Sequence, residues 1–526
     1  MVHSDFRPAT RPALPDIKSC EQWLGRAPLA DSRVACRAFL ELFDEIEDAP
    51  PPLTTYAAIL ERLRAPLRDA LDEHMRRFAG KPVPLGHVEA AAFRQSCDVW
   101  LALLRAWRRL LRSAINQPLA IGSKPRALCA RRSLEACAGL LETHFAAHRV
   151  PEAGLWLWLH EGYAAAAPFD PDPASDAVSS GDTAIASYAS ALLIAIARPE
   201  ALSAREYAFV RHCASRFGGK LAIRREIPAS TGSGYAIDDE CDGPPQWLPA
   251  EAGGLRLDMR AIARSLKWRL RQLAAGIEPS RLGLPPESGI DFATAMLNRL
   301  VRAWTHDAPG QRRFPRRAGN TDAECAVGLA NIHRVMTVDT DGALPDDAPR
   351  SWNYSRGAAE QIHVFQRSLE AAIRTPQSVM EHWKMLDESA SGFRLRREGP
   401  GSRLALNQLV ALRPHGARRF ILANLRWAQA QSEAAVVIAG LLALPGLAQP
   451  CLVRSAAEEP ALSAPWSAAF LLPVATGFPA CLVLPAGRWD TGRMLELRLD
   501  GESCKVMISE LIEHGHDYDR ARFIDV

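Results

Sequence analysis

Residues 383–395 read WKMLDESASGFRL. An apolar run stops at Asp387, Glu388 and Ser389, passes through Gly392, and resumes with Phe393 and Leu395. Asp, Ser and Gly gather in turns because short polar side chains bond the local backbone and Gly tolerates positive φ. The stretch therefore reads as a turn between two strands. Working outward from it, FRLRR, LVALRP, RRFILANLRW, AAVVIAGLLAL and PCLVR are short apolar runs punctuated by Gly and Pro. Their spacing of roughly 8 to 12 residues is that of an all-β barrel or sandwich. CAVGLANIHRVM opens like a strand, and KVMISELIEH and ARFIDV close the chain.

Upstream the period changes. Tyr56, Leu60, Leu63, Leu67 and Leu71 recur three or four residues apart and share one helix face, with Pro66 inside the run as a kink or restart. Phe93, Trp100, Leu103, Leu104, Trp107 and Leu111 form a second stripe, and Leu134, Cys137, Leu141 and Phe145 a third. Leu155 to Ala167, Ile185 to Ala197 and Leu257 to Leu273 also read as helices, so helices dominate to about Trp304. Residues 169–182 and 228–254 read as loops from their Gly, Pro, Ser and Asp content. The fold class expected is α+β multidomain, a helical N-terminal region before a β-rich one.

The chain has 526 residues, enough for roughly two to four domains. Its net charge of only +3 excludes wholesale nucleic-acid binding, so any basic function is local. Eleven cysteines, an odd number with no CxxC pair, and a start (MVHSDFRPAT) without an apolar signal core point to reduced thiols in a cytoplasm. Two apolar segments resemble membrane spans. Trp466 to Gly487 is broken by Pro473, Pro479 and Pro485, and Val436 to Leu444 is too short for a bilayer of about 30 Å. Both fit buried strands.

A second motif stands where the two textures meet. QRRFPRR (311–317) places Arg312, Arg313, Arg316 and Arg317 in R-x-x-x-R spacing in two registers, and Pro315 disfavours a helix there. An R-x-x-x-R linker, a strand, and D-x-S-x-x-G in a strand turn at the head of a β-rich domain resemble the PilZ domain, a small β-barrel that binds the bacterial messenger cyclic di-GMP. NQLVALRPHGARRFILANLRW, ending in Arg426 and Trp427, resembles the later strands of that barrel.

The resemblance implies that Arg312 and Arg316, or Arg313 and Arg317 in the other register, take guanine and phosphate. Asp387 takes a guanine edge, and Ser389 and Gly392 shape the turn. The chemistry suits the ligand. Guanine offers paired O6 and N7 acceptors to an Arg fork, Arg pairs bidentately with phosphate, and a carboxylate accepts from guanine N–H groups. Arg317 and Asp387 are 70 positions apart, which reads as an insertion between the first and second strands.

The expected organisation is a flexible segment 1–31 and a helical module 32–305, open to division near 168–183. A PilZ-like barrel 306–455 with an insertion at about 338–378 follows, then a β-rich extension 456–526. The expected function is a non-enzymatic cyclic di-GMP effector with no cofactor or metal, with a protein partner reached through the helical module. The alternative is a degenerate barrel serving only as a protein-interaction scaffold. Other motifs read as structure. HGHDYD (514–519) lacks partners at metal-site spacing, and His160 with Glu161 lacks the second His of H-E-x-x-H. TGSGYA lacks the Lys of a phosphate loop, and SASG lacks the order of a nucleophile elbow. Arg105, Arg108, Arg109 and Arg112 around Trp107 read as a solvated helix face.

Overall fold

The architecture comes from a computed structural model. It describes residues 14–116, 123–169, 183–224, 234–249, 254–305, 315–341, 380–431, 436–456 and 465–526, apart from Thr476 and Arg488. The chain divides into two compact units. The first is Met1–Lys81 with Leu85–Arg312, and the second is Pro82–Pro84 with Arg313–Val526.

The helices of the first unit are α1 (Ile17–Leu24), α2 (Ser32–Asp48), α3 (Leu53–Met75), α4 (His87–Asn116), α5 (Ser123–Ala146), α6 (Leu155–Ala166), α7 (Ala184–Ile196), α8 (Ala204–Phe217), α9 (Arg260–Ala274) and α10 (Ile290–Trp304). The expected stripes face one continuous core: Tyr56, Leu60, Leu63, Leu67 and Leu71 on α3, Trp100 and Trp107 on α4, and Leu134 and Leu141 on α5. α3 runs unbroken through Pro66.

The flexible stretch expected over residues 1–31 is corrected in its second part. Asp16 caps α1 in a reciprocal capping box with Ser19, which satisfies two end donors, and Cys20 is fully buried. The loop expected at 228–254 is corrected too. β1 (Ala222–Arg224), β2 (Gly234–Ile237), β3 (Gln246–Leu248) and β4 (Leu255–Asp258) form a sheet in the order β1-β4-β2-β3. These strands are three or four residues long, too short for alternation to stand out. The buried Arg256 holds them by donating to the carbonyls of Leu248 (3.2 Å) and Pro249 (2.5 Å).

In the second unit β5 (Arg317–Val327) is followed by α11 (Leu329–Asp341), so the connection to the next strand begins as a helix upstream of the insertion expected at 338. Residues 342–378 of the expected insertion and 170–182 of the expected loop lie outside the described residues. β6 (Glu381–Ser389), β7 (Gly392–Arg397), β8 (Leu409–Pro414), β9 (Ile421–Ala430) and β10 (Val437–Ala443) close with β5 into a six-stranded antiparallel barrel, ordered β10-β7-β6-β5-β8-β9. Its interior is lined by Ala323, Cys325, Trp383, Met385, Phe393, Leu395, Leu412, Leu425 and Val437 among others.

A second closed barrel follows: β11 (Gln449–Ser455), β12 (Ser467–Leu472), β13 (Cys481–Pro485), β14 (Met494–Leu499), β15 (Glu502–His514) and β16 (Tyr518–Asp525), ordered β11-β12-β13-β16-β15-β14. The boundary expected at residue 455 therefore moves upstream of β11, and the expected extension is a barrel in its own right. The uncharged run from Trp466 to Gly487 supplies β12 and β13, and Val436 to Leu444 supplies β10.

A shared apolar layer of Ile332, Met336, Leu409, Leu422, Phe470 and Leu472 packs the two barrels and α11 together. Polar bonds fix that layer. Asp517 accepts from the backbone N–H of Leu329 (2.9 Å) and of Leu409 (2.8 Å), and burial holds its carboxyl above the ordinary carboxylate range. The Asn424 amide donates to the Tyr518 hydroxyl at 2.8 Å, and His333 Nε2 meets the Cys451 carbonyl at 3.0 Å.

Candidate functional site

The opening stretch is a hairpin. β6 and β7 pair from Lys384↔Arg396 to Ser389↔Gly392 around a two-residue turn. Ser389 Oγ donates to the Gly392 carbonyl at 3.3 Å, and the Ala443 N–H donates to the Ser391 carbonyl at 2.9 Å. A Cβ on Gly392 would stand 3.3 Å from the Leu441 carbonyl, so glycine lets β10 approach. Ser389 and Gly392 thus shape the turn.

Asp387 lies in the strand rather than at the tip. Strict alternation would put it on the interior row with Trp383 and Met385. A one-residue shift of register between Met385 and Asp387 instead sets it opposite Arg394 on the outer face. Bulges re-aim side chains in this way. Arg316, just before β5, forms an ion pair with Asp387 Oδ1, and Arg394 Nη1 lies 3.7 Å from Oδ2. The structure therefore brings together the end of the arginine motif and the acidic stretch. Arg317 is exposed and stands opposite Glu388 in the register. Arg312 and Arg313 lie outside the described residues.

The outer row continues across the barrel. Ala318 faces Asp387, Asp387 faces Arg394, Arg394 faces Gly440, and Gly440 faces Trp427. A second register shift, beside Leu425, puts Trp427 on this face as the first does Asp387. A Cβ on Gly440 would fall 1.9 Å from Trp427 Nε1, so the indole lies across the bare glycine. Arg394 keeps its Nε buried with no hydrogen-bond partner. The face thus combines guanidinium forks, a carboxylate and an aromatic plane in one row. Sequence reading noted Trp427 only as one of a pair and did not nominate Arg394 or Gly440. No spacing signal marks them, because they meet Asp387 through strand order and two bulges.

The barrel interior is closed at one end. Glu381 and Arg397 extend the interior rows of β6 and β7 and pair at 2.5 Å, each at most 3% exposed. Glu381 also accepts from Trp383 Nε1 (3.1 Å) and the Ser402 N–H (2.6 Å). The charge pair plugs the interior, and the chemistry-bearing groups stand outside.

The remaining motifs are placed structurally. His160 Nδ1 meets the Tyr188 hydroxyl at 2.8 Å in the helical core. Arg108 pairs with Glu161 at 3.3 Å and lies over Trp158. His514 pairs with Asp519 at 2.9 Å, and among the described residues no cluster of His, Cys, Asp and Glu could hold a metal ion. All eleven cysteines are free thiols, and burial pushes that of Cys36 up to about 12. No described helix is long and apolar enough to cross a membrane.

Comparison with known families adds to this geometry. Residues 18–228 match the model described as cyclic-di-GMP receptor FimW, N-terminal domain, and residues 451–526 match the FimW C-terminal beta-barrel domain. At both ends the chain has the domains of the FimW family of cyclic-di-GMP receptors. No curated protein matches it. The FimW matches cover helices α1 to α8 and the second barrel, and β5 to β10 lie between them. The PilZ resemblance is thus met at the coarser level of a cyclic-di-GMP receptor, under a different family name.

Proposed function

We propose that the chain is a non-catalytic cyclic di-GMP effector whose first barrel, PilZ-like, binds the nucleotide on its outer face. The observation that carries this reading is the ion pair between Arg316 and Asp387, groups 71 positions apart in the chain. In the proposed complex the ligand separates that pair. Asp387 accepts from the N–H edge of one guanine, and Arg316 turns to a phosphate or to O6 and N7. Arg312, Arg313 and Arg317 add cations from the same linker. Trp427 offers a ring plane for stacking, a contact worth about 1–3 kcal/mol per base in single-strand binders. Ser389 and Gly392 hold the hairpin in register.

The output follows from what β5 leads into. α11 continues directly from β5 and packs against β8, β11 and β12. Ordering the linker on the nucleotide shifts the balance between two arrangements of this unit by the ligand's differential affinity for them. The partner that reads the change is proposed to meet the helical unit. Calorimetry with cyclic di-GMP tests the site. The native chain should bind, and Arg312→Ala with Arg316→Ala should weaken binding by roughly a hundredfold, two charge-assisted contacts of about 1.5 kcal/mol or more each. Unchanged affinity in that double variant rejects the site.

A further inference from the structure

The helical unit carries a charged face that the nucleotide site does not use. α9 holds Arg260, Arg264, Lys267, Arg269 and Arg271 and no carboxylate. Its periodicity sorts these residues. Ile262, Leu266 and Leu273 are buried on one side. Arg260, Arg264, Lys267, Trp268 and Arg271 follow the spacing i, i+4, i+7, i+8, i+11 on the other, and all five are exposed. At 1.5 Å of rise per residue the stripe runs about 16 Å along the helix. An amphipathic helix needs a polar outer face, but a merely solvated one mixes both signs of charge and carries no large aromatic ring.

The cations divide by what they already bond. Arg260 grips Asp258, the one carboxylate between residues 254 and 277, with Nε to Oδ1 at 2.9 Å and Nη2 to Oδ2 at 2.6 Å. Arg269 is turned to the flank. It donates to the Leu282 carbonyl at 2.9 Å and to the Ser265 hydroxyl at 2.6 Å, and it lies over the rings of Phe217 and Trp268. Arg264, Lys267 and Arg271 have no ion pair or side-chain hydrogen bond among the described residues. Arg216 and Lys220, both exposed, extend the positive field on the flank. Lys220 donates to Ser265 Oγ at 3.0 Å, and partial burial with the like charges of Arg269 and Arg216 holds its ammonium below the ordinary lysine range.

Trp268 is 46% exposed and is the one large hydrophobic side chain exposed on α9. A folded protein partner meets an apolar centre ringed by polar groups. This face has the reverse composition, a single indole among cations. It suits a broad sheet of negative charge with an apolar layer beneath, where Trp settles at headgroup depth and Lys and Arg meet phosphates. We propose that the exposed face of α9 docks on an anionic lipid surface. Arg264, Lys267 and Arg271 take lipid phosphates, and Trp268 enters the headgroup layer. The apolar side of the helix stays in the protein core, so the contact is peripheral and needs no spanning segment. The site is separate from the cyclic di-GMP face and does not depend on that reading.

Cosedimentation of the full chain with vesicles tests it. The proposal expects binding to phosphatidylglycerol mixed with phosphatidylcholine, none to pure phosphatidylcholine, and loss of binding as salt shortens the Debye length. Arg264→Glu with Lys267→Glu should weaken binding by about tenfold or more, and Trp268→Ala by a few-fold. These side chains are exposed, so the variants should keep the fold. Arg418→Glu with Arg419→Glu, an equal charge reversal in the exposed turn between β8 and β9, should leave vesicle binding unchanged. Equal binding to the neutral vesicle, equal losses in the two charge-reversal pairs, or unchanged binding in the α9 variants overturns the proposal. So does failure to bind the anionic vesicle, including a result in which a polyglutamate peptide or a DNA duplex binds through Arg264 and Lys267 instead.

Discussion

The two barrels share a strand number and an all-antiparallel closure, and they differ in how their interior rows end. In the first, Glu381 and Arg397 end their rows, neutralise each other and are bonded by Trp383 and Ser402. In the second, Ser455, Ser467 and Arg493 end theirs around open space. A plugged barrel must present its chemistry outside, and here two register shifts carry Asp387 and Trp427 out. An open barrel can receive a ligand at its mouth. One architecture therefore yields two kinds of surface, set by a handful of end residues.

The largest test breaks the plug. Glu381→Ala strands the Arg397 charge in the interior and should cost about 3–5 kcal/mol in chemical denaturation. Ser455→Ala, at the open mouth of the second barrel, should cost under about 1 kcal/mol. Equal costs would erase the distinction between sealed and open.

Next is the bond between barrels. Asp517→Ala orphans two buried N–H groups and should cost roughly 2–4 kcal/mol, with faster hydrogen exchange at Leu329 and Leu409. Because burial raises the Asp517 pKa above its ordinary 3.8, the acid form's contribution is full below that value and is lost as pH rises through the raised one. Asp517→Asn, which cannot ionise, should flatten the stability profile across that window.

On the outer face, Arg316→Ala should lower cyclic di-GMP affinity by about tenfold or more, with the second barrel unaffected. The smallest effect is expected from Gly440→Ala. Its methyl group must displace the Trp427 indole, and cyclic di-GMP affinity should fall by about fivefold, near 1 kcal/mol. Unchanged affinity would remove Trp427 from the face.

Much of this was legible in the chain. The 3.6-residue stripes gave α3, α4 and α5, and the punctuated apolar runs gave the strands. The short strands β1 to β4 were hidden by Gly- and Pro-rich surroundings. Arg316 and Asp387 were legible because each belongs to a compact motif. Arg394, Gly440 and Trp427 were not, since nothing local says which strands become neighbours. The turn of Arg493, Ser455 and Ser467 toward one cavity was hidden for the same reason.

By itself the sequence determined periodicity, and with it the helical unit, the β-rich unit and the two short motifs, because helix and strand faces are written in nearest-neighbour spacing. Tertiary structure alone decided that there are two barrels rather than one, that Asp387 points outward, and that one interior is plugged while the other opens. Those outcomes depend on closure and on cross-strand register, where a single extra residue in one strand moves every later side chain to the opposite face.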